Sequence, residues 1–211
     1  MTVDNLNAIA DKIRANFIVK NEARDKALLM SRELVRLCAN SIRSMHRSEH
    51  AQAASLLADA QRHVAQLRSD LSGHPDLYHA GYVQEALKEY AEASALLALV
   101  RREALPEPVE LGVEDAAYLN GLGEAVGELR RFILDRIRQG QTERCEDVLQ
   151  NMDDIYCLLL TMDFPDAITG NLRRTTDMVR SVMEKTRGDL TFAVRQRDLE
   201  SSLERLESRI Q

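Results

Sequence analysis

The sequence has no tryptophan and only 4% aromatic residues, so any core has to be built from aliphatic side chains and methionine. It has 4 prolines and 9 glycines in 211 residues, too few turn formers for the many short strands of an all-β chain. No apolar run approaches the roughly 18–20 residues that a membrane span needs. The segment Met1-Thr2-Val3-Asp4-Asn5 has neither the basic nor the apolar stretch of a signal peptide. These absences lead to the expectation of a cytoplasmic protein without a membrane partner. The three cysteines, Cys38, Cys145 and Cys157, are odd in number and far apart. They are read as small buried apolar residues in a reducing compartment, not as a disulfide framework or a zinc site. Basic residues are outnumbered, 28 against 34 acidic ones, for a net charge of -6. On bulk grounds that charge argues mildly against nucleic-acid binding, while leaving room for a local basic face.

What is present is helical periodicity. Ile9, Ile13, Phe17, Leu28, Leu34, Leu37 and Ile42 recur at helix spacing over residues 3–47 with no Pro or Gly between them, so one long helix is expected, a break near Asn21 being the alternative. A second helix is expected over 50–72, stopped by Gly73-His74-Pro75. A third spans 75–103, after which Pro106 and Pro108 force an extended connection. The remaining helices are expected over 114–139, 141–162, 166–187 (stopped at Gly188) and 189–209, the last polar and charge-alternating. No segment alternates with period two, so no strand is expected. The short proline linker and the matching acidic pairs on either side of it argue for one all-α domain over residues 1–211.

Those acidic pairs carry the chemistry. Glu89 and Glu92 lie at i,i+3 inside the third helix; Glu124 and Glu128 lie at i,i+4 inside the fourth. Such positions are neighbours on a helix face, roughly 5–6 Å apart, where like charges repel. A solvated face is the ordinary explanation of two nearby glutamates. Here small residues surround them: Ala91, Ala93 and Ala95 on one helix, Gly123, Ala125 and Gly127 on the other. Small residues let a second helix or a ligand approach closely. Four carboxylates on two such helices suit a hard divalent cation.

The stretch Glu89-Tyr90-Ala91-Glu92-Ala93 resembles the Glu-Tyr-Val-Glu-Ala motif of translin-associated factor X. Tyr118-Leu119-Asn120-Gly121-Leu122, with Gly127-Glu128-Leu129-Arg130, is similar to a stretch that translin-family chains carry. Asp166 to Leu190, with the pair Arg187-Gly188, resembles the family's C-terminal region, and Ser31-Arg32-Glu33 its N-terminal helix. The resemblance covers roughly residues 25–190 and implies a seven-helix all-α bundle assembling into a hollow homo-oligomer, an octamer. It implies binding of single-stranded RNA and single-stranded DNA. In the factor X branch it implies a magnesium-dependent endoribonuclease, whose acids match Glu89, Glu92, Glu124 and Glu128. Glu89, Glu92 and Glu128 are expected to hold Mg²⁺ or Mn²⁺. Glu124 stands where the family has aspartate, and its expected role is ligand or general base. Lacking the long insertion and basic tail of eukaryotic factor X, the chain resembles an archaeal relative. The alternative is a non-catalytic translin-like protein that only binds RNA or single-stranded DNA.

RNA binding needs cations facing the strand. Arg173, Arg174 and Arg180, with Lys185 and Arg187, form the candidate basic group, and Arg130 and Arg131 lie just past Glu128. The competing explanation is a solvated surface paired with Asp177, Glu184 and Glu128. Asp153-Asp154 reads as a surface pair, Tyr90 as core, and His46, His50, His63, His74 and His79 lack ligand spacing.

Overall fold

A computed structural model describes residues 5–210. The expected helix start at residue 3 and the Met1–Asp4 segment lie outside the described residues. Among the described residues there are nine helices and no strand, in agreement with the all-α expectation. Six are long: α1 (Leu6–His46), α2 (His50–Asp70), α4 (Gly81–Arg101), α6 (Asp115–Arg138), α7 (Cys145–Leu160) and α9 (Leu172–Ile210). Three are single turns at the corners: α3 (Pro75–Tyr78), α5 (Pro108–Leu111) and α8 (Asp166–Thr169).

α4 is the axis of the bundle. Its buried residues run almost all the way round, from Val83 and Ala86 through Tyr90, Ala91 and Ala93 to Val100. A helix apolar on every side has to be enclosed. α1 and α2 cover one flank, α6 the other, and α7 and α9 pack on α6. One contiguous apolar cluster runs from Ala27 on α1 to Leu190 on α9, so residues on both sides of the proline linker share it.

The first expected helix is kept whole, while later boundaries differ from the sequence expectation, including a helical turn, α5, in the connection expected to be extended. α1 shows no break at Asn21. It is one 41-residue helix, about 60 Å long at 1.5 Å per residue, whose buried face begins only at Ala27. The third expected helix is divided. Pro75 opens the one-turn α3, and the chain bends through His79 and Ala80 before Gly81 starts α4. The sixth expected helix loses its first turn to α8, and from Leu172 it is continuous with the seventh as α9. Leu172, Thr176, Val179, Met183, Thr186 and Leu190 form a buried stripe that stays in phase across Gly188. A glycine costs a helix interior about 1 kcal/mol, less than the packing of the residues flanking it.

Two long helical segments leave the bundle. On α1 before Ala27 the large apolar residues Leu6, Ile9, Ile13, Phe17 and Ile18 are exposed, Phe17 to 66%. On α9 beyond Leu190, Phe192, Leu199, Leu203 and Leu206 are exposed, Phe192 to 72%. The cysteines divide: Cys38 and Cys145 are buried, and Cys157 is exposed, which corrects the expectation that all three are buried.

Candidate metal centre

The closest approach of α4 and α6 is made at Gly121. A methyl group there would lie 2.5 Å from the Lys88 carbonyl oxygen, 2.9 Å from Ala91 Cβ and 2.9 Å from the Glu92 nitrogen. Only hydrogen fits against that backbone. Three residues further along α6, on the same face, Glu124 therefore arrives beside Glu89 and Glu92. Gly123 packs instead toward α9, where a Cβ would lie 2.4 Å from Thr175 Cγ2, and Gly127 faces open space. Of the two glycines expected to admit a neighbour, Gly123 does so and Gly127 does not, while Gly121, outside that expectation, meets α4.

Glu89, Glu92 and Glu124 each offer a carboxylate oxygen, and the three oxygens lie within 4.8 Å of one another. Glu92 is the innermost, 8% exposed, and makes no hydrogen bond or ion pair among the described residues. Burial, then repulsion from Glu89, Glu124 and Glu128, pushes its carboxyl up to about 8. Glu89 is half-buried and raised for the same reasons, burial first and the Glu124 charge next. A buried, unpartnered carboxylate beside two others is a cost that a hard cation relieves. An all-oxygen donor set of this kind fits Mg²⁺ or Mn²⁺ by chemistry.

Glu128 is placed differently. It is one turn beyond Glu124, and its Oε2 lies 2.5 Å from His46 Nε2 at the end of α1. Arg131 approaches the same oxygen at 3.8 Å. The hydrogen bond to His46, more than any other influence, holds the Glu128 carboxyl below the usual range. The structure therefore joins Glu124 to the Glu89–Glu92 pair and turns Glu128 toward an imidazole. Lys88 joins the same site from α4. Its ammonium lies 2.7 Å from Glu124 Oε1 and 2.7 Å from Glu85 Oε1, with the side chain 16% exposed. Burial works against that ammonium, but the hydrogen bonds to Glu124 and Glu85 hold it above the usual lysine value.

Sequence reasoning assigned no role to Lys88 or His46. Lys88 had a visible signal, an acid three residues before it on the same face. His46 has one too: it follows Ile42 at i+4 on the buried face of α1, although it lacks the spacing of a metal ligand. Asp153 is remote from this cluster and binds Arg187 at 3.0 Å on α9. Tyr90 is buried core.

The five arginines expected to face RNA differ in their partners. Arg130 is tied to Asp189 at 2.7 Å and to the Thr186 hydroxyl at 3.0 Å, bracing α6 on α9. Arg131 is exposed beside Glu128. Arg173 pairs with Asp163 at 3.6 Å and Arg180 with Glu184 at 3.1 Å. Arg174 is exposed and has no ion pair among the described residues. It lines an open cavity of about 720 Å³ between α4, α6, α8 and the start of α9, together with Gln84, Glu85, Lys88, Asn120 and Glu124. Asn120 is held rigidly there. Its amide donates to the Ala116 and Thr169 carbonyls, and its oxygen accepts from Thr175.

No protein-family model matches the sequence. The chain is 29% identical over 209 residues to an uncharacterized protein of Methanocaldococcus jannaschii, covering 98% of this chain and 90% of that one. Among solved structures it is similar to AfC3PO, with TM-score 0.83 and 28% identity over 89% of this chain and 98% of that chain. The AfC3PO–duplex RNA complex gives TM-score 0.78 and 29% identity, over 89% and 97% of the two chains. Apo-NeC3PO shares the fold at TM-score 0.78 and 23% identity, over 92% and 99%.

Proposed function

We propose, from the fold shared with AfC3PO and the carboxylate cluster between α4 and α6, that this protein is a divalent-metal-dependent endoribonuclease of the translin type, on the factor X side of that family. The observation that carries the proposal is Glu92: a buried carboxylate with no protein partner, facing two more carboxylates. AfC3PO has been solved with duplex RNA, which supports RNA as the ligand class. The proposed substrate is single-stranded RNA, with single-stranded DNA as a second bound strand.

Glu89, Glu92 and Glu124 would hold Mg²⁺ or Mn²⁺. A divalent ion so held supplies charge neutralisation at a phosphate and a more acidic water. The chain's own contributions can be stated residue by residue. Glu92 sets the depth of the site through its burial. Gly121 sets the separation of the two carboxylate-bearing helices. Glu128 is the candidate general base, and its His46 partner fixes its orientation. Arg131, exposed beside Glu128, and Arg174, which lines the cavity shared with Glu124, are the proposed phosphate contacts. The exposed apolar faces of the α1 and α9 segments support a homo-oligomer, an octamer on the translin pattern, because large apolar stripes of this kind are normally covered.

The test is incubation of end-labelled single-stranded RNA, and separately of an RNA duplex, with Mg²⁺ or with chelator. Internal cleavage of the single strand that chelator abolishes is expected. Binding without cleavage would overturn the nuclease and leave a binding protein; no binding to either RNA would overturn both.

A further inference from the structure

We propose that Lys88 fills the cation position of the cluster in the metal-free protein and becomes a phosphate contact once a divalent ion takes Glu124. This rests on the reading above that Glu89, Glu92 and Glu124 hold a metal.

Glu124 belongs to two groups at once. It completes the three-carboxylate cluster, and it accepts from the Lys88 ammonium at 2.7 Å. An arriving dication competes with that ammonium for the same carboxylate. The exchange is favourable because the other two carboxylates, Glu89 and Glu92, have no cation within ion-pair distance among the described residues. A divalent ion between all three neutralises more of the cluster than Lys88 can from one side. When Glu124 turns to the metal, Lys88 keeps only Glu85, whose side chain is 59% exposed. A pair of that kind is weak and screened by salt.

The released ammonium borders the open cavity described above. Arg174, exposed and unpaired among the described residues, stands on the α9 side of the same cavity. Its volume of about 720 Å³ admits a nucleotide unit of a strand. Two cations on opposite walls, beside a metal cluster, are suited to the phosphodiester next to the one at the metal. Metal binding and strand binding are then coupled, each strengthening the other by the same factor.

The test uses the full-length protein without RNA, titrated with Mn²⁺ by calorimetry. Lys88→Met removes the competing ammonium and keeps the stem; it should bind Mn²⁺ about fivefold more tightly than the parent. Lys88→Arg should stay near the parent. In fluorescence anisotropy with a short single-stranded RNA, adding Ca²⁺ should tighten binding by the parent severalfold and not by Lys88→Met. A measurement on the unmutated protein is independent of folding defects. Acetylation of Lys88 by an amine-reactive ester, read by mass spectrometry, should rise severalfold when Mn²⁺ is added. Parent protein that binds Mn²⁺, with unchanged or weaker affinity in Lys88→Met or unchanged Lys88 labelling, overturns this proposal and leaves the metal site standing. No Mn²⁺ binding by the parent overturns both.

Discussion

Glu92→Gln should stabilise the metal-free protein at alkaline pH while removing its response to metal. Glu92 has an ordinary carboxyl value of 4.5 in the unfolded chain and about 8 when folded without metal. Its folded value is raised, so the native state holds the proton more tightly between those limits. Stability is therefore lost as pH rises from about 4.5 to 8. At about 1.4 kcal/mol per pH unit, the full difference would amount to about 4 kcal/mol at pH 8. Sharing of charge within the cluster and solvent relaxation reduce this to ~2 kcal/mol. Glutamine has the same shape and cannot ionise. For a chain of this length ~2 kcal/mol corresponds to a rise of roughly 4–8 °C in melting temperature. Thermal melts in chelator, followed by circular dichroism, should show that rise at pH 8 and almost none at pH 5, where the parent's Glu92 is already protonated. Saturating Mg²⁺ should then reverse the order, raising the parent by about 2–3 kcal/mol at a hundred times its Kd and leaving the variant unmoved. An equal shift at both pH values, or a variant that still responds to Mg²⁺, would refute the account of Glu92 as a buried carboxylate awaiting a cation.

The remaining predictions concern the surroundings of the cluster. Gly121→Ala forces a methyl against the Lys88 carbonyl and should cost ~2–3 kcal/mol in chemical denaturation, with Mn²⁺ binding lost as α4 and α6 separate. Gly127→Ala, which meets nothing, should be neutral or gain up to about 1 kcal/mol from helix propensity. Arg174→Ala should lower the salt dependence of RNA binding by about one unit of slope without altering melting temperature. Arg130→Ala should instead lower melting temperature, because it removes the Asp189 and Thr186 contacts that hold α6 to α9. Phe17→Asp should abolish the proposed homo-oligomer in light scattering while leaving the melting of the bundle core unchanged, since Phe17 lies outside the buried face of α1.

The helical class, the position of most helices and the grouping of acids on the third and fourth expected helices are all legible in the residues. They follow from local rules: apolar period, proline and glycine punctuation, and like charges one turn apart on a single helix. The errors arise where local rules are overruled by packing. Gly188 looks like a stop, yet the buried stripe from Leu172 to Leu190 keeps its phase and carries the helix through. Pro75 looks like the first residue of a long helix, yet it opens a single turn.

The donor set was determined by the sequence: carboxylates one helical turn apart among small neighbours, a set that suits a hard cation, are visible without any knowledge of distance. Only the tertiary structure decided which carboxylates meet. Glu124 and Glu128 are equivalent in sequence, one turn apart on one helix. Gly121 brings α6 so close to α4 that Glu124 falls beside Glu92, and the next turn carries Glu128 toward the end of α1 and into the hydrogen bond with His46. That contact spans 82 residues of chain. A periodicity reports which side of its own helix a residue occupies; the partner on that side depends on where two helices cross, and a crossing is set by packing between distant segments.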